Sequence, residues 1–338
     1  MEIGRILEKL CTCDGVSGCE DSVAECAKGF LREFGAVSVD KLGSVSMHRE
    51  GSGKHFLIDA HMDQIGLIVT GITDDGFLKV SRCGGTDLRT LTAAQVTVWG
   101  KKPIYGIICS KPPHLMSDEE SDKAAKCEDI AIDIGFSKEK AQELVSVGDR
   151  VSFSAGFERL EGDIVCSKSI DNRAGMAAAI RCLEILSHRE STAEITVNFS
   201  VQEETGCTGG GVAAFDKRAD FALVTDVSFA KQPGVSENDS SPMGSGAMIA
   251  FGPVLDTQMS KELERLARYN KIGYTIEVCP GRTGTNADNI LSGAGGVKTA
   301  VISMPIKNMH TPVEVVKLSD IEAVAQLMAE FILSKEVE

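Results

Sequence analysis

The chain has 338 residues, is 43% hydrophobic and carries a formal charge of −14. Such a length and apolar content suit a globular protein with room for more than one core, and they argue against a disordered chain. The negative balance argues against nucleic acid or an anionic membrane as partner, while leaving carboxylate clusters free to attract metal cations.

Met1-Glu2-Ile3-Gly4-Arg5 opens an amphipathic helix and lacks the apolar core of a signal peptide. No apolar run approaches the roughly 20 residues needed to span a bilayer. Eleven cysteines, an odd count without a C-x-x-C framework, read as reduced thiols and predict a cytoplasmic protein.

Residues 1 to 13 predict a short helix with Ile3, Ile6, Leu7 and Leu10 on one stripe. Ser17 and Glu20 then have capping-box spacing, and Val23, Ala24, Ala27, Phe30 and Leu31 continue with helical period to Gly35. Short strands follow at Val37-Val39 and Ser44-Met47, and Phe56-Ala60 reads as a buried strand ending at His61-Met62-Asp63. From about residue 70 to 160 the texture changes to short β segments at Gly76-Val80, Ala94-Val98, Ile104-Ile108 and Arg150-Ser154. This predicts a small all-β module inserted into an α/β domain that holds every candidate site residue without it. Within the insert, Lys111-Pro112-Pro113-His114 and the charged run Ser117 to Lys126 read as an exposed loop.

Helical period returns from Ala174 to Leu186, followed by the strand Ile195-Val201, a helix after glycines 209 to 211, and the strand Phe221-Val224 ending at Asp226. A helix near 257 to 271, a strand at Tyr274-Val278 and a strand at Lys298-Ile302 lead to Met309-His310-Thr311-Pro312. Ser319 and Glu322 again have capping-box spacing ahead of a last amphipathic helix. Helix and strand alternate, which predicts an α/β fold with a mainly parallel mixed sheet flanked by helices.

His61, Asp171, Glu204, Asp226 and His310 each follow a predicted strand or precede a helix, where such a sheet gathers its site. Two imidazoles and three carboxylates form a mixed N/O set suited to zinc, cobalt or manganese. Five ligands exceed what one open catalytic ion needs and suit two divalent ions about 3.5–4 Å apart, with Asp171 as the bridge. Asp63 can bond the second nitrogen of His61 and fix its tautomer. Glu203, beside the ligand Glu204, is left to take a proton from metal-bound water. Taken singly, His61 reads as a core histidine, Asp171 as a helix cap, Asp226 as a turn residue and His310 as a loop residue. His114 reads as surface, and His48, His55 and His188, in polar surroundings, read as solvated.

The stretches His61-Met62-Asp63-Gln64-Ile65-Gly66, Asp171-Asn172-Arg173-Ala174-Gly175, Gln202-Glu203-Glu204-Thr205-Gly206, Asp226-Val227-Ser228 and Met309-His310-Thr311-Pro312 together resemble a known family. It is the glutamyl and deblocking aminopeptidases that build large tetrahedral particles, some of which are named cellulase M. The likeness covers nearly the whole chain, including Gly15-Val16-Ser17-Gly18 and Ser110-Lys111-Pro112-Pro113-His114-Leu115. It implies a co-catalytic metallopeptidase domain over residues 1–67 and 161–338, with a β-barrel-like dimerisation domain inserted over 68–160. It further implies a metal-dependent aminopeptidase acting on peptides, and a homo-oligomer of which the tetrahedral dodecamer is the expected form. One ion would lie on His61, Asp171 and Asp226, the other on Asp171, Glu204 and His310, with Glu203 as base and Asp63 as orienter.

The sequence departs from the family pattern at four places. Gln64 stands where Glu is common, and Thr205-Gly206-Cys207-Thr208-Gly209 replaces Val-Gly-Leu-Arg-Gly. Lys307-Asn308 replaces Arg-Tyr, and Gly284-Thr285-Asn286-Ala287-Asp288 differs from the usual Gly-Thr-Asp-Ala. None removes a ligand; they bear on side-chain preference and oligomeric contacts. Two other functions compete. A glycoside hydrolase needs two carboxyls and no metal, which leaves the histidines idle. A non-catalytic scaffold of the same fold would show a lost ligand or a lost Glu203, and all six residues are present.

Overall fold

The chain opens on two helices, Ile3–Thr12 and Asp21–Leu31, in a computed structural model that describes residues 2–109, 111–117 and 126–335. Most of the charged run Ser117 to Lys126 therefore lies outside the described residues. The first helix buries Ile6, Leu7 and Leu10, three of the four residues on its apolar stripe. The second starts on Glu20 with no side-chain cap. Ser17 does not close a capping box, because its hydroxyl is drawn into the interior to donate to Asp63 Oδ2 at 2.5 Å.

A large sheet follows from β1 (Ala36–Val39), β2 (Val45–Arg49) and β3 (His55–His61). The chain then leaves it for six strands: β4 (Gly66–Ile72), β5 (Leu78–Cys83), β6 (Gln95–Trp99), β7 (Pro103–Cys109), β8 (Ala131–Asp133) and β9 (Arg150–Phe153). These close a barrel in the order β4-β5-β8-β7-β6-β9 around their own apolar cluster of Leu67, Val69, Leu78, Val96, Val98, Ile132 and Val151. β7 alternates strictly between buried and exposed positions, the period of a strand with one face on a core.

The chain rejoins the sheet through β10 (Glu158–Arg159) and β11 (Ile164–Ser167). The helix Ile170–Ser187, β12 (Glu194–Ser200), the helix Thr208–Lys217 and β13 (Phe221–Phe229) come next. They are followed by β14 (Ala247–Phe251), the helix Thr257–Asn270, β15 (Tyr274–Val278), the short helix Ala287–Ile290, β16 (Lys298–Lys307), β17 (Glu314–Lys317) and the helix Leu318–Ser334. The strand order is β1-β2-β12-β3-β13-β16-β17-β11-β10, with β14 and β15 branching from β16. The central run β12-β3-β13-β16 is parallel, as is the side pair β14-β15; both margins are antiparallel, through short connections at β1-β2, β10-β11 and β16-β17 and through strands distant in the chain at β2-β12 and β11-β17. The last helix has no side-chain cap: Ser319 N donates to Asp163 Oδ2, and Glu322 pairs with Arg181 instead of closing a capping box.

The central strands are buried on both faces, which explains their unbroken apolar runs. Phe56, Ile58 and Ala60 of β3 join the larger core under the helices Ile170–Ser187 and Leu318–Ser334, while Leu57 joins a smaller core with Ala214, Ala287 and Ile290. Phe56 is fully buried, stacks on Phe221 at 5.4 Å and meets Phe331 edge-on at 6.5 Å, pinning the last helix to the sheet. Burying one such side chain contributes about 1.5–3 kcal/mol. The helix Ile170–Ser187 is buried over most of its circumference, as an alanine-rich helix between packed layers must be.

One irregularity positions the site. β13 pairs with β3 only from Phe221 to Val224, yet stays paired with β16 as far as Phe229. The carboxyl ends of β3 and β13 therefore part, and a crevice opens between them, as open α/β sheets provide for ligands.

Candidate metal centre

The five candidate ligands reach this crevice from five different places in the chain. His61 is the last residue of β3, and Asp226 lies within β13 just past the point where it leaves β3. Asp226 is thus not at a strand end, since pairing with β16 carries the strand three residues further. Asp171 and Asn172 have non-helical backbone angles at the start of the helix Ile170–Ser187. Asn172 ties this turn to β13 by donating to Thr225 O at 2.9 Å. Beyond β12, Gln202 adopts a left-handed φ of 59°, which breaks the strand alternation and lets consecutive Glu203 and Glu204 line one cavity. His310 follows β16, also with a left-handed φ, of 62°.

The side chains fall into two groups that share Asp171. His61 Nε2 is 3.0 Å from Asp171 Oδ1 and 3.7 Å from Asp226 Oδ1. His310 Nε2 is 3.3 Å from Asp171 Oδ2 and 3.6 Å from Glu204 Oε2. Donors bound at about 2.0–2.1 Å around a tetrahedral ion sit about 3.3 Å from one another. The four contacts, at 3.0 to 3.7 Å, bracket that spacing, and His61, Asp171 and Glu204 also offer ligand atoms within 4.8 Å of one another. Glu203 Oε2 lies 4.0 Å from His61 Nε2, at the edge of the first group.

The charges fit a cation as well as the distances do. Burial, with Asp171 nearby, pushes the Glu204 carboxyl up to about 8, and burial raises Asp226 and Glu203 too. Hydrogen bonds from His310 and His61 overcome burial at Asp171 and hold it low. Asp171 in turn raises His310 to about 10. Glu204 Oε1 is buried with no hydrogen-bond partner among the described residues. Carboxylates crowded this closely, one with an unpartnered oxygen, are what divalent ions relieve. The residues present could hold such ions.

A family model for M42 glutamyl aminopeptidases matches residues 43–327. The chain belongs to that family. It is an aminopeptidase. The lysyl aminopeptidase of Pyrococcus furiosus is 33% identical over 96% of this chain and 94% of its own. Among solved structures, the aminopeptidase APDkam598 from the archaeon Desulfurococcus kamchatkensis superposes with a TM-score of 0.92 at 31% identity, covering 99% of this chain and 95% of its own. The Pyrococcus horikoshii TET1 peptidase, which can assemble into a tetrahedron or a large octahedral shell, gives 0.86 at 30% identity over 98% of this chain and 99% of its own.

Several residues of this M42 aminopeptidase act on the site from behind. Asp63 is fully buried, and its carboxylate accepts from Ser17 Oγ and from the Glu203 and Glu204 amides at 2.5, 3.0 and 3.2 Å. It therefore fixes the turn that presents both glutamates. His61 Nδ1 is 3.1 Å from the Asp63 carbonyl and 3.4 Å from its carboxylate, so one residue offers the ring two acceptors. Glu314, passed over in the sequence, is buried and accepts the amides of Asp171 and His310, each at 2.9 Å. Beneath His61, Asp59 accepts from Asn198 and from Asn286 at 2.6 and 2.8 Å. Asn286 is where the chain departs from the family's Asp. A carboxylate there would confront that of Asp59, so the amide suits this interior.

The barrel also reaches the centre. A Cβ on Gly85 would lie 2.4 Å from His310 Nδ1, and one on Gly84 would lie 3.0 Å from Glu204 Oε2. Every candidate site residue lies outside the inserted segment, yet the loop after β5 folds back over the crevice and walls His310 and Glu204. The cleft in front of the centre has a volume of about 640 Å³ and includes Cys207, Glu277 and Asp288. Cys207 Sγ donates to Glu203 Oε1 at 3.3 Å. Glu277 accepts from Ser228 Oγ at 2.5 Å. His114 and His188 are exposed, whereas His48 and His55 are half-buried rather than solvated.

Proposed function

We propose that the chain is a dinuclear metal aminopeptidase that removes N-terminal residues from peptides. His61, Asp171 and Asp226 would hold one divalent ion, and Asp171, Glu204 and His310 the other, with zinc, cobalt and manganese the ions this donor set suits. The observation that carries this reading is the Asp171 carboxylate, whose two oxygens face different histidines. When bound, such ions supply Lewis acidity to a peptide carbonyl and to water. Glu203 is the base: its carboxylate takes the proton of the attacking water and returns it to the leaving amine. Asp63 holds the His61 ring and the Glu203–Glu204 turn, and Glu314 holds the backbone at Asp171 and His310.

The cleft favours a cationic N-terminal side chain. Glu277, Arg282 and Asp288 line it, and because Arg282 and Asp288 pair with each other at 3.2 Å, Glu277 is the acid left to meet a cation. The likeness to a lysyl aminopeptidase supports the same preference.

The barrel, taken as a dimerisation domain over residues 68–160, would build a homo-oligomer of the tetrahedral dodecamer kind, in keeping with the assemblies of the TET1 relative. Tyr105 and Ile107 project from β7 with 56% and 42% exposure, an apolar outer face suited to burial against another subunit. All eleven cysteines are free, in keeping with a reducing, cytoplasmic setting, and no helix among the described residues is long and apolar enough to cross a membrane.

The test is hydrolysis of a panel of aminoacyl chromogenic substrates by chelator-stripped enzyme, before and after adding defined divalent ions. Loss of activity and its recovery, greatest on lysyl and arginyl substrates, is the expected result. Full activity after exhaustive stripping would overturn the metal scheme.

A further inference from the structure

At the end of the sheet remote from the catalytic crevice, three metal-binding side chains meet on three adjacent strands. His48 lies on β2, Glu194 begins β12 and His55 begins β3. Thr196 pairs with His48 across one strand boundary, and Glu194 pairs with His55 across the next. Glu194 and Thr196 are two apart, so all four side chains share one face of the sheet. His55 and His61 bound the same strand, which separates this cluster from the catalytic centre by about 20 Å.

We propose that His48, His55 and Glu194 form a second, independent transition-metal site, of the zinc class, that staples β2, β12 and β3 together. His48 Nε2 is 3.5 Å from Glu194 Oε1, and His55 Nδ1 is 3.7 Å from the same oxygen. The three donor atoms lie within 4.8 Å of one another. Three donors around a tetrahedral zinc ion sit about 3.3 Å apart, so closing on an ion needs movements of only tenths of an ångström at each carboxylate contact.

The outer contacts supply the second argument. Thr196 Oγ1 is 3.0 Å from His48 Nδ1 and 2.9 Å from His55 Nε2. A hydroxyl oxygen has two lone pairs and can accept from both rings. With an ion bound, that arrangement would place each ring's N–H on the Thr196 side and leave both lone pairs to the ion on the Glu194 side. One buried threonine thereby stands where second contacts orient histidine ligands in metal sites. The rings meet edge-on, at 82° and 5.8 Å between centroids, so they converge on a point instead of stacking.

The chemistry selects the ion. Two imidazoles and one carboxylate suit zinc, nickel or copper, whereas magnesium and calcium call for oxygen donors throughout. The side chains of His48 and Glu194 are 37% and 33% exposed against 13% for His55, which leaves an open side for water as a fourth ligand. The nearby cation Lys217 is paired with Asp216 at 2.8 Å and does not occupy the position.

The experiment is a zinc titration of the chelator-stripped full chain, comparing wild type with His48→Gln and, separately, Glu194→Gln. Bound zinc is counted by elemental analysis after dialysis, and lysyl-substrate hydrolysis confirms that each variant is folded. Wild type should retain one more zinc per chain than either variant, with peptidase activity unchanged. Cobalt substitution should add a tetrahedral visible band that both variants lack. Because the result is a difference between proteins, it does not depend on how many ions the catalytic centre holds. Equal zinc content in wild type and in whichever variants fold would overturn the proposal.

Discussion

Gly85→Ala is the sharpest probe of how the barrel loop serves the catalytic centre. The added Cβ would stand 2.4 Å from His310 Nδ1 and 2.7 Å from Cε1. Carbon and nitrogen pack at about 3.5 Å, so ring or loop must give way by about 1 Å. The neighbour is an aromatic ring on a constrained backbone, since His310 N is bound to Glu314 and its φ is left-handed. The loop is tied as well, through Asp87 N donating to His310 O at 3.2 Å. The φ of Gly85 lies outside the left-handed region, so alanine is permitted by the backbone and the effect is steric. A misplacement of about 1 Å in a catalytic constellation costs on the order of 10²-fold in rate. That is about 2.7 kcal/mol of lost transition-state stabilisation. Steady-state kinetics on a lysyl chromogenic substrate, with circular dichroism to confirm folding, reads the effect. A variant within threefold of wild type would refute the argument that the loop fixes His310.

Three further outcomes are expected. Glu203→Gln should keep the metal content of wild type while kcat falls by about 10²–10⁴-fold, whereas Glu204→Gln should lose an ion by elemental analysis; the reverse pattern would exchange the two roles. Glu314→Ala strands the buried Asp171 amide, which costs about 1–3 kcal/mol, and frees the part-buried His310 amide, so urea unfolding should show a loss of at least about 1–3 kcal/mol; an unchanged midpoint would mean that Glu314 supports nothing. Replacing both Tyr105 and Ile107 by Glu should yield a smaller species in light scattering with the barrel still folded, and an unchanged particle would remove β7 from the interface.

The residues legible in the sequence were those whose position follows from strand ends. His61 and Glu204 stand beside or just beyond parallel strands, and a parallel sheet brings such ends together whatever the details of packing. Asp226 was legible by type but misplaced, because a strand that loses one neighbour and keeps the other carries no mark of that in its own residues. Glu314 and Gly85 were invisible for a related reason. Their parts depend on which backbone approaches them in space: two amides for Glu314, an imidazole ring for Gly85. Ser17 shows how a local signal can mislead. Its spacing to Glu20 suits a helix cap, but the buried Asp63 carboxylate offers a charge-assisted partner, and such bonds are roughly twice as strong as neutral ones. His48 and His55 looked polar and solvated because their shared face exists only once β2, β12 and β3 are paired.

The central claim is that Asp171 bridges two ions. Anomalous diffraction at the zinc edge, from crystals of zinc-loaded enzyme, tests it most directly. The account predicts two peaks about 3.5–4 Å apart, one on the Oδ1 side of Asp171 toward His61 and Asp226, the other on the Oδ2 side toward His310 and Glu204. A single peak at Asp171 in crystals of fully active enzyme would contradict it.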